Sequence, residues 1–296
     1  LSKQHEHLFE KILGVAYGTA GAEGEEIPKS KAKFWSRDDN GNYLCFYPEL
    51  NPQKRLAPGV YKVYKVPMGT VFHRDDVKRI DTIDLSSEQI KVLEQVKKFW
   101  GYREKYRELN IPHKRGFLLY GEPGTGKTTI LTEVVHRVID MGGVAINVPE
   151  SAELRTISQG ISDIQKLDGP RPICFFIEDI DIYEDNHAFV NFLDGTNELD
   201  GVIIIATTNY IENIPDRLKN RPGRFDEVHR IVPPEAAECA GLVDFYTRSL
   251  REEYGEDYGK EIMKFAQELE GKTPAEIRGA IVDRYIYGEY EKRKKR

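Results

Sequence analysis

The chain has 296 residues, 40% of them hydrophobic and 31% charged, an ordinary globular balance long enough for one or two domains with a sizeable core. Its formal charge of −6 argues against a global electrostatic grip on nucleic acid. No apolar run approaches the roughly 18 residues of a membrane span, and Cys45, Cys174 and Cys239 lack CxxC or metal spacing, which predicts reduced thiols in a cytoplasmic setting.

Residues 1–85 read as an N-terminal segment with a small β-containing module. Gly59–Val66 alternates apolar and polar residues as a half-buried strand does, and Pro67-Met68-Gly69-Thr70 reads as a turn into a second strand, Val71-Phe72-His73. Residues 86–110 read as a helix. Ser86 with Gln89 forms a capping-box pattern, and Ile90, Leu93, Val96, Lys97 and Trp100 form the expected buried stripe, Lys97 being the one polar break.

From 116 to 232 strand alternates with helix. The strand candidates are 117–120, 144–148, 173–177, 202–206 and 228–232. They are mostly continuous apolar runs, as in a parallel sheet covered on both faces. Such alternation implies right-handed crossovers and a three-layer α/β domain. Residues 235–296 read as helical. Thr273-Pro274-Ala275-Glu276 is a helix start, and the terminal basic run 291–296 is expected to be a solvated helix end. The division expected is thus 1–85, 86–234 and 235–296.

Gly121-Glu122-Pro123-Gly124-Thr125-Gly126-Lys127-Thr128 fits G-x-x-x-x-G-K-[ST] in full, after an apolar strand and before a helical run beginning at Thr129. Glycines let successive N–H groups point at phosphate oxygens, and the helix N-terminus adds partial positive charge. Lys127 is expected to reach the β- and γ-phosphates of ATP, and Thr128 to ligate Mg²⁺.

Phe175-Phe176-Ile177-Glu178-Asp179 is an apolar strand ending in two carboxylates, where a P-loop enzyme needs one acid for the metal and one for the attacking water. By position Glu178 falls on the metal side and Asp179, one methylene shorter than the usual base, on the water side; Asp181 is expected to be structural. The next strand ends in Thr207-Thr208-Asn209, and Asn209 is expected to bond the attacking water or the γ-phosphate. Arg221-Pro222-Gly223-Arg224 sets two guanidinium groups across a Pro-Gly turn, suited to charge spreading over a transferring phosphoryl group. Lying after the fourth strand, they are expected to reach a neighbour's nucleotide in a head-to-tail ring.

In this order and spacing the motifs resemble the AAA family of ring ATPases, over roughly residues 86–290. Tyr106–Gly121, Glu178-Asp179 and Phe192-Leu193-Asp194-Gly195 resemble the subfamily of the mitochondrial chaperone that assembles the Rieske iron–sulfur protein, which also carries Glu-Asp, in a soluble bacterial or phage-type form. The resemblance implies a P-loop NTPase sheet of order 5-1-4-3-2 with a C-terminal helical lid. It implies ATP and Mg²⁺, a cis site of Lys127, Thr128, Glu178, Asp179 and Asn209, and Arg221 and Arg224 as fingers in trans. It sets Ile111-Pro112-His113 near the adenine and closes the lid start, including Ala275, on base and ribose. A homo-oligomeric ring of six or seven subunits and a protein client follow, with no membrane partner. The stretch 149–160 lacks the aromatic with which threading ATPases grip a peptide, so threading is not the expectation. A nucleic-acid motor or loader, favoured only by the basic tail, and a slow nucleotide-gated scaffold, favoured by the short Asp179, stay open as alternatives.

Overall fold

Strands that are apolar on both sides must be sandwiched, and that dictates the architecture. The computed structural model describes residues 34–37, 43–46, 55–66, 69–75, 77–78, 86–149, 154–169, 171–182, 186–195, 200–219 and 223–288. The chain divides into two compact units, Leu1–Pro52 and Gln53–Arg296. In the first, β1 (Phe34–Arg37) pairs antiparallel with β2 (Tyr43–Phe46), Phe34 opposite Phe46.

The second unit runs β3 (Gly59–Val66), β4 (Gly69–Asp75), α1 (Ser87–Gly101), α2 (Arg103–Glu108), β5 (Lys114–Tyr120), α3 (Lys127–Asp140), β6 (Val144–Asn147), α4 (Leu154–Asp168), β7 (Ile173–Ile177), α5 (Asn186–Gly195), β8 (Val202–Thr208) and β9 (Glu227–Arg230). It continues with α6 (Ala236–Thr247), α7 (Arg251–Tyr254), α8 (Tyr258–Glu268) and α9 (Pro274–Ile281). One seven-stranded sheet has the order β4-β3-β6-β7-β8-β5-β9. Read from β9, the five strands β9, β5, β8, β7 and β6 follow the 5-1-4-3-2 order, all parallel.

The departure lies at the far edge. Gly59–Val66 and the strand after it were expected in a separate module ending at residue 85. Instead β3 pairs in parallel with β6, Tyr61 opposite Ile146, and β4 returns antiparallel along β3. This hairpin packs on α4: a Cβ on Gly160 would come within 3.0 Å of Val63 and 3.1 Å of Phe72. Asp168, at the end of α4, accepts the Leu56 N–H at 3.1 Å and pairs with Arg171 at 2.5 Å, and Arg171 also donates to the Leu56 carbonyl at 2.6 Å. The polypeptide entering β3 is thereby tied to the sheet by a buried carboxylate and a largely covered guanidinium.

The period-2 alternation of each strand sorts the core into two layers. Ile173, Phe175 and Ile177 of β7 meet Ile157 and Ile161 of α4 and Phe189 and Phe192 of α5. Cys174 and Phe176 face the other way, toward Ile130 and Val134 of α3 and Val92 and Val96 of α1. Each fully buried side chain of this kind contributes about 1.5–3 kcal/mol. On α1 the Ser86–Gln89 capping box forms, but the buried face is Val92, Leu93, Val96 and Phe99, and Ile90 is exposed. The helix is turned slightly from the expected stripe, so that Lys97 points to water and the one polar residue on the buried face is the capping Gln89. The single helix expected over 86–110 breaks at Tyr102, which lies outside the helical region.

The lid packs its own core of Leu242, Val243, Ile262, Phe265 and Ile277. Thr273 caps α9 with Pro274 in its first turn and Glu276 completing the box. Among the described residues no helix is long and apolar enough to cross a membrane. The basic run at 291–296 lies outside the described residues.

Candidate functional site

The loop between β5 and α3 is built for close approach by an anion. Gly124 and Gly126 adopt φ of 79° and 97°, a region that L side chains rarely enter. The loop opens onto the N-terminus of α3, whose first N–H groups have no helical partner. Lys127 is buried, and its ammonium donates to the carbonyls of Gly121 and Glu122, each at 2.8 Å. Burial holds it below the ordinary lysine range, opposed by the nearby charges of Asp179 and Asp181. Thr125 closes the loop with a 2.9 Å bond to the Glu122 carbonyl.

The strand tips bring the polar residues to this loop. The Thr128 hydroxyl donates to Glu178 at 3.4 Å, so a hydroxyl and a carboxylate share one locus. Asp179 has φ of 47°, which Asp tolerates better than most side chains. Its N–H donates to the Thr207 hydroxyl at 3.2 Å, and its carboxylate accepts from the Asn209 amide at 3.4 Å. Asp181 accepts from the Thr208 hydroxyl, which in turn accepts the Tyr210 N–H at 2.9 Å. That chain fixes the turn carrying Asn209.

Beside the loop lies an open cleft of about 450 Å³. Thr125, Gly126 and Thr129 form its floor, Ser86 and Gln89 one wall, and Val232, Pro234, Glu238, Leu242 and Pro274 the rest. The lid touches the loop directly: the Ala275 N–H donates to the Gly124 carbonyl at 3.4 Å. The sequence reading found Ser86 and Gln89 only as a helix cap, expected the lid start at Pro274 to close on the nucleotide, and missed Val232, Pro234, Glu238 and Leu242.

Residues 117–232 match the "ATPase family associated with various cellular activities (AAA)". That match runs from β5 to just past β9 and takes in the phosphate loop and the strand tips beside it. It is 26% identical over 211 residues to the "26S proteasome regulatory subunit 8 homolog" of Schizosaccharomyces pombe, covering 64% of this chain and 51% of that protein. It is 29% identical over 218 residues to the "Proteasome-activating nucleotidase" of Saccharolobus islandicus, covering 66% and 53%. It is 28% identical over 209 residues to the "AAA ATPase forming ring-shaped complexes" of Bifidobacterium animalis subsp. lactis, covering 62% and 40%. The chain thus spans about half the length, or less, of these relatives.

The residues of the matched segment fit ATP with Mg²⁺. The loop supplies backbone donors and a buried ammonium, Thr128 and Glu178 could hold a cation largely through its waters, and the cleft offers apolar walls to a base.

Two expected contacts with the adenine are not made. His113 and Ile111 lie before the first residue of β5, whereas the loop follows its last. The eight residues from His113 to Gly121 span about 26 Å of nearly extended chain. His113 instead stacks on Phe99 at 4.0 Å, with its Nε2 2.9 Å from the Phe99 carbonyl, and burial lowers its pKa. Ile111 is solvent-exposed at that same end.

Arg224 is held in a bidentate pair with Asp194, both bonds 2.9 Å, and also donates to the Arg217 carbonyl. Its backbone lies against the start of β5, where a Cβ on Gly116 would meet the Arg224 carbonyl. Arg221 lies outside the described residues.

Proposed function

We propose that this chain binds ATP at Gly121–Thr129 and hydrolyses it within a homo-oligomeric ring, using arginines borrowed from the adjoining subunit, to remodel a protein client. Lys127 draws the β- and γ-phosphates into the loop, while Thr128 and Glu178 hold the metal. Asp179 and Asn209 orient the attacking water, and Asp179 takes its proton. Mg²⁺, when bound, neutralises charge on the phosphate oxygens. The lid closes over the cleft through Ala275 and Pro274 and so couples nucleotide state to rigid-body motion.

The observation that carries the ring is the position of the arginine turn. Arg224 packs at Gly116, five residues and about 17 Å along β5 from its own phosphate loop. That is beyond the reach of an arginine side chain, so Arg224 does not serve its own subunit's nucleotide, which supports a role at a neighbour's. The names of two relatives, one forming ring-shaped complexes and one activating proteasomes, support a ring and a protein client. The order Glu178-Asp179 supports kinship with the Rieske-assembly subfamily. The number of subunits follows as six or seven by that kinship.

Turnover per subunit tests this reading. The wild type rises with protein concentration as rings form, and Arg224→Ala stays low at every concentration. Equal turnover in the two proteins at concentrations where both sediment as rings contradicts it.

A further inference from the structure

Lys114 is the first residue of β5, at the far end of that strand from the phosphate loop, and the cis site makes no use of it. It is buried, and its ammonium donates to the Leu193 carbonyl at 2.6 Å and to the Gly223 carbonyl. Leu193 lies in the last turn of α5, where carbonyls have no helical partner and the helix dipole favours a cation. Gly223 is the residue before Arg224. One ammonium therefore joins the end of α5 to the arginine turn.

The same two pieces are joined again on either side. Arg224 forks onto Asp194, the next residue of α5. Asp226 accepts the Gly116 N–H at 2.9 Å and the Gly223 N–H at 3.1 Å, fixing the turn to β5. Phe225 between them is fully buried, its ring stacked 6.4 Å from that of Phe189 of α5. Among the described residues, the bonds to Asp194 and Arg217 use three of the five guanidinium N–H groups of Arg224. Burial pushes Lys114 down to about 8, with Asp226 and Asp194 opposing that shift and Arg224 adding to it. A cation is retained at this cost where an aliphatic side chain would take the Lys114 bond away from both carbonyls.

We propose that Lys114 is a positioning residue for hydrolysis in the adjoining subunit: by bonding the Leu193 and Gly223 carbonyls it makes the end of α5 and the arginine turn one rigid body, so that Arg224 meets the neighbour's phosphates in a fixed orientation. This rests on the ring reading above. The defect on removing Lys114 must then appear in the neighbour's turnover and leave its own subunit's nucleotide binding intact.

Mixed rings separate those two. Lys127→Ala subunits lack a working loop but keep their arginine turn, so they can complement a subunit whose turn alone is damaged. Lys114→Met, matched in length but without a donor, is expected to bind a fluorescent ATP analogue as the wild type does. Its turnover falls about tenfold or more, part of what an arginine finger contributes. Mixing with Lys127→Ala then restores activity several-fold, and Arg224→Ala mixed in the same way behaves alike. Lys114→Arg, which keeps the donors, holds more activity than Lys114→Met. If Lys114→Met does not fold, Lys114→Gln is mixed in its place and read by the same outcomes. Wild-type turnover in Lys114→Met overturns the proposal, as does failure of Lys127→Ala to rescue it while rescuing Arg224→Ala. If Arg224→Ala is not rescued either, the ring reading itself falls and takes this one with it.

Discussion

Replacing Gly124 by alanine carries two costs, backbone strain and a broken lid contact, of which the second also bears on nucleotide affinity. The first is backbone strain. At φ of 79° an L residue loses about 1–2 kcal/mol, a loss borne by the folded protein with or without nucleotide. The second is steric. The new Cβ would stand 2.8 Å from the Ala275 Cβ and 3.2 Å from the Thr273 hydroxyl, inside the roughly 3.5–4.0 Å optimum for carbon contacts. The first turn of α9 must retreat by about 1 Å, which breaks the 3.4 Å bond from the Ala275 N–H to the Gly124 carbonyl, worth about 1 kcal/mol. Chemical denaturation without nucleotide should therefore show a loss of about 2–3 kcal/mol, the strain together with the lost bond. Titration with a fluorescent ATP analogue should show affinity weakened about fivefold, the equivalent of 1 kcal/mol. The double variant Gly124→Ala/Ala275→Gly removes the carbon clash and should regain most of the affinity but none of the stability lost to strain. Wild-type affinity in Gly124→Ala, or a double variant that binds no better than the single, would refute the described lid contact.

Asp168→Ala leaves the Arg171 guanidinium largely covered beside Leu56 without its carboxylate, so urea unfolding should report a loss of about 3–5 kcal/mol. Asp179→Asn should keep ATP-analogue affinity while turnover falls about a hundredfold or more, the worth of a general base, as read by phosphate release. Burial holds His113 below its ordinary pKa, so near and below pH 6.5 the unfolded chain binds a proton that the folded chain does not. Stability is therefore present above that pH and declines as pH falls toward the folded value, by at most about 1.4 kcal/mol per pH unit. His113→Phe, which keeps the stack on Phe99, should flatten that decline in unfolding curves taken between pH 5 and 7.

What was legible in the sequence is what a local pattern can carry. The phosphate loop is contiguous, and Glu178, Asp179 and Asn209 end uninterrupted apolar strands, so strand order alone brings them beside Lys127 and Thr128. The membership of β3 in the main sheet was not legible. Its partner β6 lies some eighty residues on, and a half-buried edge strand alternates in the same way whichever sheet it joins. The cleft is equally non-local: Gln89, Val232 and Leu242 meet only because α1, the end of β9 and the lid converge on one loop. Periodicity gave one helix over 86–110, of which 87–101 forms α1, but mistook its phase, since Ile90 and Val92 are both apolar and only the tertiary contacts choose between them. His113 was set near the adenine by the family resemblance alone. The direction of β5 carries it to the other end of the sheet.

The most direct test is a cryo-EM map of the assembled protein with a non-hydrolysable ATP analogue and Mg²⁺. The account predicts a closed ring with triphosphate density in the turn between β5 and α3, and the Arg224 guanidinium of each subunit directed at the γ-phosphate held by the next. A closed ring in which that guanidinium faces bulk water, or in which the nucleotide lies away from Gly121–Thr128, would contradict it.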